Sequence, residues 1–144
     1  MALNKINIKK ENGKSFVFCL IRKKWLVLTP EEKVRQFTIL QLIEKYHYTA
    51  THISVEKQFV FNNIKKRYDI IVFNKQMQMQ ILIECKATQI NLSEQDLKQL
   101  FTYNLSLQVP LLMLTNGNSS FVYQIDANEV KALADLPKNE KINV

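Results

Sequence analysis

An aspartate and a glutamate fifteen residues apart, the second followed two residues on by a lysine, are the side chains here best suited to chemistry: Asp69, then Glu84-Cys85-Lys86. Glu84 and Lys86 close an alternating run that starts at Gln76. In a strand, successive side chains point to opposite faces. Met77, Met79, Ile81, Ile83 and Cys85 then make an apolar face. Gln76, Gln78, Gln80, Leu82, Glu84 and Lys86 make the other, with carboxylate and ammonium side by side at its end. Taken alone, Glu84 and Lys86 read as a solvated ion pair, which contributes little. Asp69 changes the weighing. It sits inside Tyr68-Asp69-Ile70-Ile71-Val72, a strand-like stretch where aspartate is disfavoured, and it needs a partner. Arg67, on the same face, is one candidate; a metal ion is the other. A hard cation such as Mg²⁺ takes oxygen ligands, one or two of them carboxylates, and completes its shell with water and phosphate. Asp69 and Glu84 on neighbouring strands suit that. Lys86 is then placed to orient or deprotonate an activated water, or to neutralise charge on phosphate. Glu31 and Glu32 are the other carboxylates weighed for this set.

The elements around these residues follow from pattern. Residues 4–11 and 15–20 predict a hairpin about Asn12-Gly13, a two-residue turn signal. Arg22-Lys23-Lys24 follows, either a solvated turn or a phosphate contact, and then the apolar run 25–28. Thr29-Pro30-Glu31-Glu32 opens a helix that should run to about Tyr46, with Thr29 as N-cap and Glu32 completing a capping box. Val34, Phe37, Leu40 and Ile43 face the core, while Glu32, Arg35, Gln36 and Ile39 share another face. Residues 52–60 and 67–73 read as strands separated by a turn at Asn62-Asn63. If the loop before the Gln76 strand has an even length, Asp69 projects from the same sheet face as Glu84 and Lys86; an odd loop sends it to the other side. Ser93-Glu94-Gln95-Asp96 opens a second helix to about Leu107, with Leu97, Leu100, Phe101 and Asn104 on one stripe and Gln95, Gln99 and Tyr103 on another. Two strands, 111–115 and 121–125, a short helix over 127–136 and a frayed tail from Pro137 complete the expectation. Helices thus interrupt a sheet, a mixed α/β arrangement.

Composition narrows the classes. A chain of 144 residues, 47% apolar, suits one domain with its own core. The net charge of +7 points to a polyanionic partner, nucleic acid first. Cys19 and Cys85 lie in apolar runs, and His47 and His52 have no Cys or His cluster beside them. Free thiols, a reducing cytoplasmic setting and no structural zinc are expected. The polar opening MALNKINIKKENGK shows no secretory core, and no apolar run is long enough to span a membrane.

Five blocks carry a family resemblance: residues 29–36 (TPEEKVRQ), 66–72 (KRYDIIV), 83–87 (IECKA), 99–104 (QLFTYN) and 114–117 (LTNG). In this order they resemble the PD-(D/E)xK nuclease superfamily, and within it the N-terminal nuclease domain of type I restriction endonuclease R subunits, over about residues 22–125. The resemblance implies a restriction-endonuclease-like core of helix, three strands, helix and strand, occupying 29–125 of a single domain. Residues 1–28 would form an N-terminal β extension, and 126–144 the short helix and tail. It implies that Asp69 and Glu84 hold Mg²⁺, or Mn²⁺ in its place, that Lys86 is catalytic, and that Gln99 and Tyr103 face the site. An acid on the first helix belongs to the pattern; Glu32 is preferred, with its capping role as the competing use. R subunits also carry motor domains. No G-x-x-x-x-G-K-[ST] occurs and only two glycines are present, so an ATP site is not expected.

Two functions follow. The first is a Mg²⁺-dependent phosphodiesterase acting on DNA, with Arg22, Lys23, Lys24, Lys65, Lys66, Arg67 and Tyr103 on the nucleic acid. The second is a catalytically silent nucleic-acid-binding or protein-docking module of the same fold. Whether the chain pairs with itself or serves a separate motor or specificity protein stays open at this level.

Overall fold

The computed structural model describes residues 5–127 and 129–139. Strands β1 (Ile8–Glu11), β2 (Lys14–Phe18) and β3 (Trp25–Val27) precede helix α1 (Pro30–Glu44). Then come β4 (Ile53–Val55), β5 (Gln58–Phe61), β6 (Ile64–Arg67), β7 (Ile70–Phe73) and β8 (Met79–Cys85). Helix α2 (Glu94–Leu107) leads to β9 (Leu111–Thr115), β10 (Ser120–Asp126) and β11 (Glu129–Leu133). The main sheet has six strands in the order β11-β10-β9-β8-β7-β4, with β8 and β9 parallel across the α2 connection and the other neighbours antiparallel. This is the mixed α/β restriction-endonuclease-like core of the sequence reading. The N-terminal hairpin is there too, extended by β3 into a three-stranded sheet. Asn12 (φ 50°) and Gly13 (φ 79°) make its turn in the left-handed region, as such a turn demands.

Each face of the main sheet is covered. Ile39 and Leu42 of α1 join Ile70, Val72, Ile81, Ile83 and Cys85 in one core. Leu100 of α2 joins Ile71, Leu82, Leu112 and Leu114 in the other, with Leu97 and Phe101 packed against it. Helix α2 carries both hydrogen bonds of its capping box between Ser93 and Asp96. Helix α1 carries only half of one. The Thr29 hydroxyl accepts from the Glu32 amide at 3.0 Å, but the Glu32 carboxylate is used elsewhere.

Five expectations are corrected. Helix α1 is buried on both of its predicted faces: Glu32, Arg35 and Gln36 are as enclosed as Val34 and Leu40. Strand β8 begins at Met79 rather than Gln76. Asn74 Oδ1 accepts from the amides of Gln76 and Gln78, both at 2.9 Å, and this turn puts Met77 at φ 61° and 58% exposed. The two long strands predicted at 52–60 and 67–73 each break in two, beside Glu56 (φ 51°) and Asp69. The helix predicted over 127–136 is strand β11, paired antiparallel with β10. Its Glu-Val-Lys-Ala-Leu alternation meets an open sheet edge, and ladder hydrogen bonds outweigh local helix preference there. Finally, the chain after Pro137 is tied down as far as it is described. The Tyr48 hydroxyl donates to Pro137 O and the Asn139 amide to Tyr46 O, both at 2.8 Å. Residues 140–144 of the predicted tail lie outside the described residues.

Candidate active site

The sheet ladder decides where Asp69 goes. Ile70 pairs with Ile83, Ile71 with Leu82 and Val72 with Ile81, which sets Asp69 opposite Glu84 at the end of the β7–β8 ladder. The connecting loop, 74–78, has five residues, an odd length that alone would send Asp69 to the far side. A bulge opposite the Val72–Phe73 step, where the partners go from Ile81 to Met79 and pass over Gln80, adds one residue on β8 and restores the parity. Asp69 is buried, its Oδ2 accepting from the Cys85 amide at 2.7 Å. Glu84 Oε1 lies 3.4 Å from the Asp69 amide. Cys85, one residue out of phase, is buried in the α1-side core, as its position predicts, and both cysteines are free thiols.

The partner of Asp69 is not Arg67. It is Arg35, whose Nη2 donates to Asp69 Oδ1 at 2.6 Å. The same guanidinium donates to Glu31 at 2.8 Å and to Glu32, and stands 3.3 Å from Glu56. One cation, only 4% exposed, thus serves four carboxylates from three parts of the chain. Arg67 stands 3.8 Å from Glu56 instead. The i, i+3, i+4 face holding Glu32, Arg35 and Gln36 was the available signal: charged groups on a buried helix face must be paired. Glu56 carried no such signal.

The acids on α1 divide their roles. Glu32 is turned inward, bonded by Arg35 and by Gln36 Nε2 at 2.9 Å, with Arg22 at 3.5 Å. Glu31 is the half-exposed one. Burial and the nearby Asp69 carboxylate raise its pKa, while Arg35 and Lys86 pull against that rise. Glu31 thus feels the charges of Asp69, Arg35 and Lys86, while the Glu32 carboxylate is engaged by Arg35 and Gln36.

The remaining predicted residues scatter. Lys86 leaves the end of β8 with its amide bonded to Thr115 O at 2.8 Å and its ammonium 3.8 Å from Asp96. Gln99 lies on the exposed side of α2 and donates to the Tyr103 hydroxyl at 2.6 Å. Tyr103 packs edge-on against Phe59 and Phe61 and carries Lys66 over its ring at 5.5 Å. Arg22 turns inward, donating to Glu56 at 2.8 Å, so its charge is spent on the protein's own acids. Lys23, Lys24, Lys65 and Arg67 are exposed.

Hard oxygen donors at Asp69 and Glu84 fit a hard divalent cation. Among the described residues no group of three or more His, Cys, Asp or Glu side chains converges as a metal cluster. The chain would therefore supply two carboxylates and leave the rest of the shell to water and phosphate. Each Asp69 oxygen already accepts one hydrogen bond and keeps further lone-pair sites for a cation.

Burial, and then the facing Asp69 charge, push Glu84 from 4.5 up to about 8. The native protein therefore holds a proton on Glu84 that the unfolded chain has lost. That preference stabilises the fold fully below about pH 4.5 and is lost progressively as pH rises through 8. In EDTA, Glu84→Gln removes this slope. Its stability should fall less than the parent's between pH 5 and 8, by on the order of a few kcal/mol. Urea unfolding at three pH values checks this; equal slopes would contradict it.

The fold is that of a restriction-endonuclease-like nuclease domain. A fragment of a candidate HsdR subunit of a type I restriction enzyme from Vibrio vulnificus YJ016 shares it, with TM-score 0.60 and 15% identity over 77% of this chain. The present chain spans 24% of that one. The chain belongs to the family described as Type I restriction enzyme R protein N terminus (HSDR_N), whose model matches residues 30–137. A candidate nuclease of the DUF820 group from Anabaena variabilis ATCC 29413 aligns with TM-score 0.48 and 13% identity, over 88% of this chain and 80% of that one. No curated protein matches the chain.

Proposed function

We propose that this nuclease-like domain hydrolyses phosphodiester bonds in DNA with Mg²⁺, or Mn²⁺ in its place. The observation that carries the reading is the opposition of Asp69 and Glu84 on neighbouring strands with Lys86 two residues on. When bound, the cation would supply the positive charge that draws in a phosphate oxygen and acidifies water. Asp69 and Glu84 would hold it; Arg35 and the Cys85 amide keep Asp69 aimed. Lys86, 32% exposed, meets the charge that develops on the phosphate. Glu31 is the acid of α1 that we place beside the cation. Exposed Lys23, Lys24, Lys65 and Arg67, together with Lys66, bind the phosphate backbone. By analogy with the R protein of the family's description, we assign the domain to work with motor or specificity components of such an enzyme.

The test is to incubate the chain with supercoiled and linear DNA in Mg²⁺, Mn²⁺ or EDTA. Cleavage in either metal and none in EDTA is expected. A second reading, a silent docking module, is favoured by one observation: Arg35 already neutralises Asp69. DNA binding without cleavage in any metal would select it.

A further inference from the structure

Between β4 and β7 the chain leaves the main sheet as a two-stranded ribbon. Among the described residues, strands β5 and β6 pair with each other and with no other strand. The pairing register is unbroken from Val55 opposite Ile70 to Gln58 opposite Arg67, so the ribbon continues the β4–β7 ladder past a bend. The bend lies at Glu56 and Asp69, joined by a 2.9 Å bond from the Glu56 amide to Asp69 O. The ribbon therefore springs from the acid that the proposed chemistry uses.

Its two faces differ. Phe59 and Lys66 form one cross-strand pair, Phe61 and Ile64 the next. Both rings and Lys66 lie against Tyr103 of α2, and Phe59 also stacks on Tyr68 at 6.1 Å. The opposite face carries the pairs Gln58–Arg67 and Val60–Lys65, all exposed, Val60 at 64%. From Lys57 to Tyr68 there are four cations and no acid. An arm with this charge, held from behind by one aromatic platform, suits a polyanion.

Two observations select the form of that polyanion. Single strands are held by bases stacking on exposed aromatic rings. Here both ribbon rings are turned inward against Tyr103, and the outer face offers Gln58, Val60, Lys65 and Arg67 but no ring. A two-stranded ribbon instead fits the major groove, which is ~12 Å wide and presents base edges that Gln and Arg side chains read. Four residues per strand extend about 13 Å, enough to lie in it. We infer that the β5–β6 ribbon enters the major groove of duplex DNA and brings a backbone phosphate of that duplex to Asp69. This rests on the nuclease reading for what happens to the phosphate, but not for the binding itself.

The test measures anisotropy of a labelled 20-base-pair duplex and of the matching single strand, in EDTA and over a salt series. The parent should prefer the duplex. The double variant Lys65→Ala/Arg67→Ala should bind it at least about tenfold more weakly and lower the salt slope by about 1.8, two phosphate contacts' worth. Lys131→Ala, an exposed lysine of β11, should bind as the parent does. Methyl green, a major-groove ligand, should displace the protein, and the minor-groove ligand netropsin should not. Preference for the single strand, no duplex binding, displacement by netropsin alone, or unchanged affinity and slope in the double variant each overturns the inference. Cleavage of plasmid in Mg²⁺ by parent and double variant separates the two readings. Duplex binding through the ribbon without cleavage rejects the nuclease and keeps the ribbon; equal binding and cleavage by both proteins does the reverse.

Discussion

Glu84→Gln, Asp69→Asn and Lys86→Met each lose DNA cleavage in Mg²⁺ by roughly a thousandfold or more, the scale of removing a preorganised charge at a reacting phosphate, and each stays folded. The three substitutions keep shape and remove charge. Glutamine at 84 replaces a carboxyl whose charged form is opposed by burial and by Asp69, so its folding cost is small and its sign favourable near pH 8. Asparagine at 69 can still accept from the Cys85 amide but no longer answers Arg35, which retains Glu31, Glu32 and Glu56. A cost of about 1–3 kcal/mol follows from that weakened buried bond. Lys86→Met keeps a long apolar stem and removes the ammonium, with its 3.8 Å pairing to Asp96. Plasmid relaxation measures the activity, and circular dichroism with urea unfolding measures the fold. Cleavage at parental rates by all three variants would sink the catalytic assignment.

Arg35→Met carries the largest expected stability loss. Removing the buried Arg35 guanidinium leaves Glu32, Asp69, Glu56 and Glu31 facing each other without it. Breaking a buried ion pair by deleting one partner costs about 3–5 kcal/mol, and here several acids share the loss. The native form should unfold at markedly lower urea or fail to accumulate near pH 7. Lowering the pH toward 5 should recover part of the stability, because the stranded carboxylates then take up protons. The charge-keeping variant Arg35→Lys should recover little, since a single ammonium cannot serve in several directions as the planar fork does. A variant as stable as the parent at neutral pH would show that the four acids need no internal cation. Arg22 is the other group to watch in that outcome, since it already reaches Glu32 and Glu56.

Much of this protein was legible in its sequence because local physics wrote it. Asn12-Gly13 and Asn62-Asn63 take left-handed turns because few other residues do so cheaply. Thr29 and Ser93 start helices because their side chains answer orphan amides. The alternation of Ile81 to Lys86 and the misfit of an aspartate before Ile70 marked a strand pair with a reason to hold charge. Those signals act over a few residues and need no knowledge of what lies across the fold. The rest depended on neighbours distant in sequence. The strand at 129–133 formed because β10 had an open edge. Arg35, not Arg67, pairs with Asp69 because α1 packs across the end of the sheet and brings a residue thirty-four positions away to 2.6 Å. Glu31 and Glu32 differ by one step along the helix, yet the packing of α1 buried Glu32 among Arg35, Arg22 and Gln36 and left Glu31 half-exposed beside Arg35. The two-acid site itself hung on one bulged residue of β8, Gln80, opposite the Val72–Phe73 step, which corrected an odd loop and set Asp69 opposite Glu84. Residue types and spacing determined that an acid pair and a lysine were present. Only the β7–β8 ladder and its bulge decided that the two acids oppose each other, because a one-residue slip costs nothing locally and inverts every side chain in the strand.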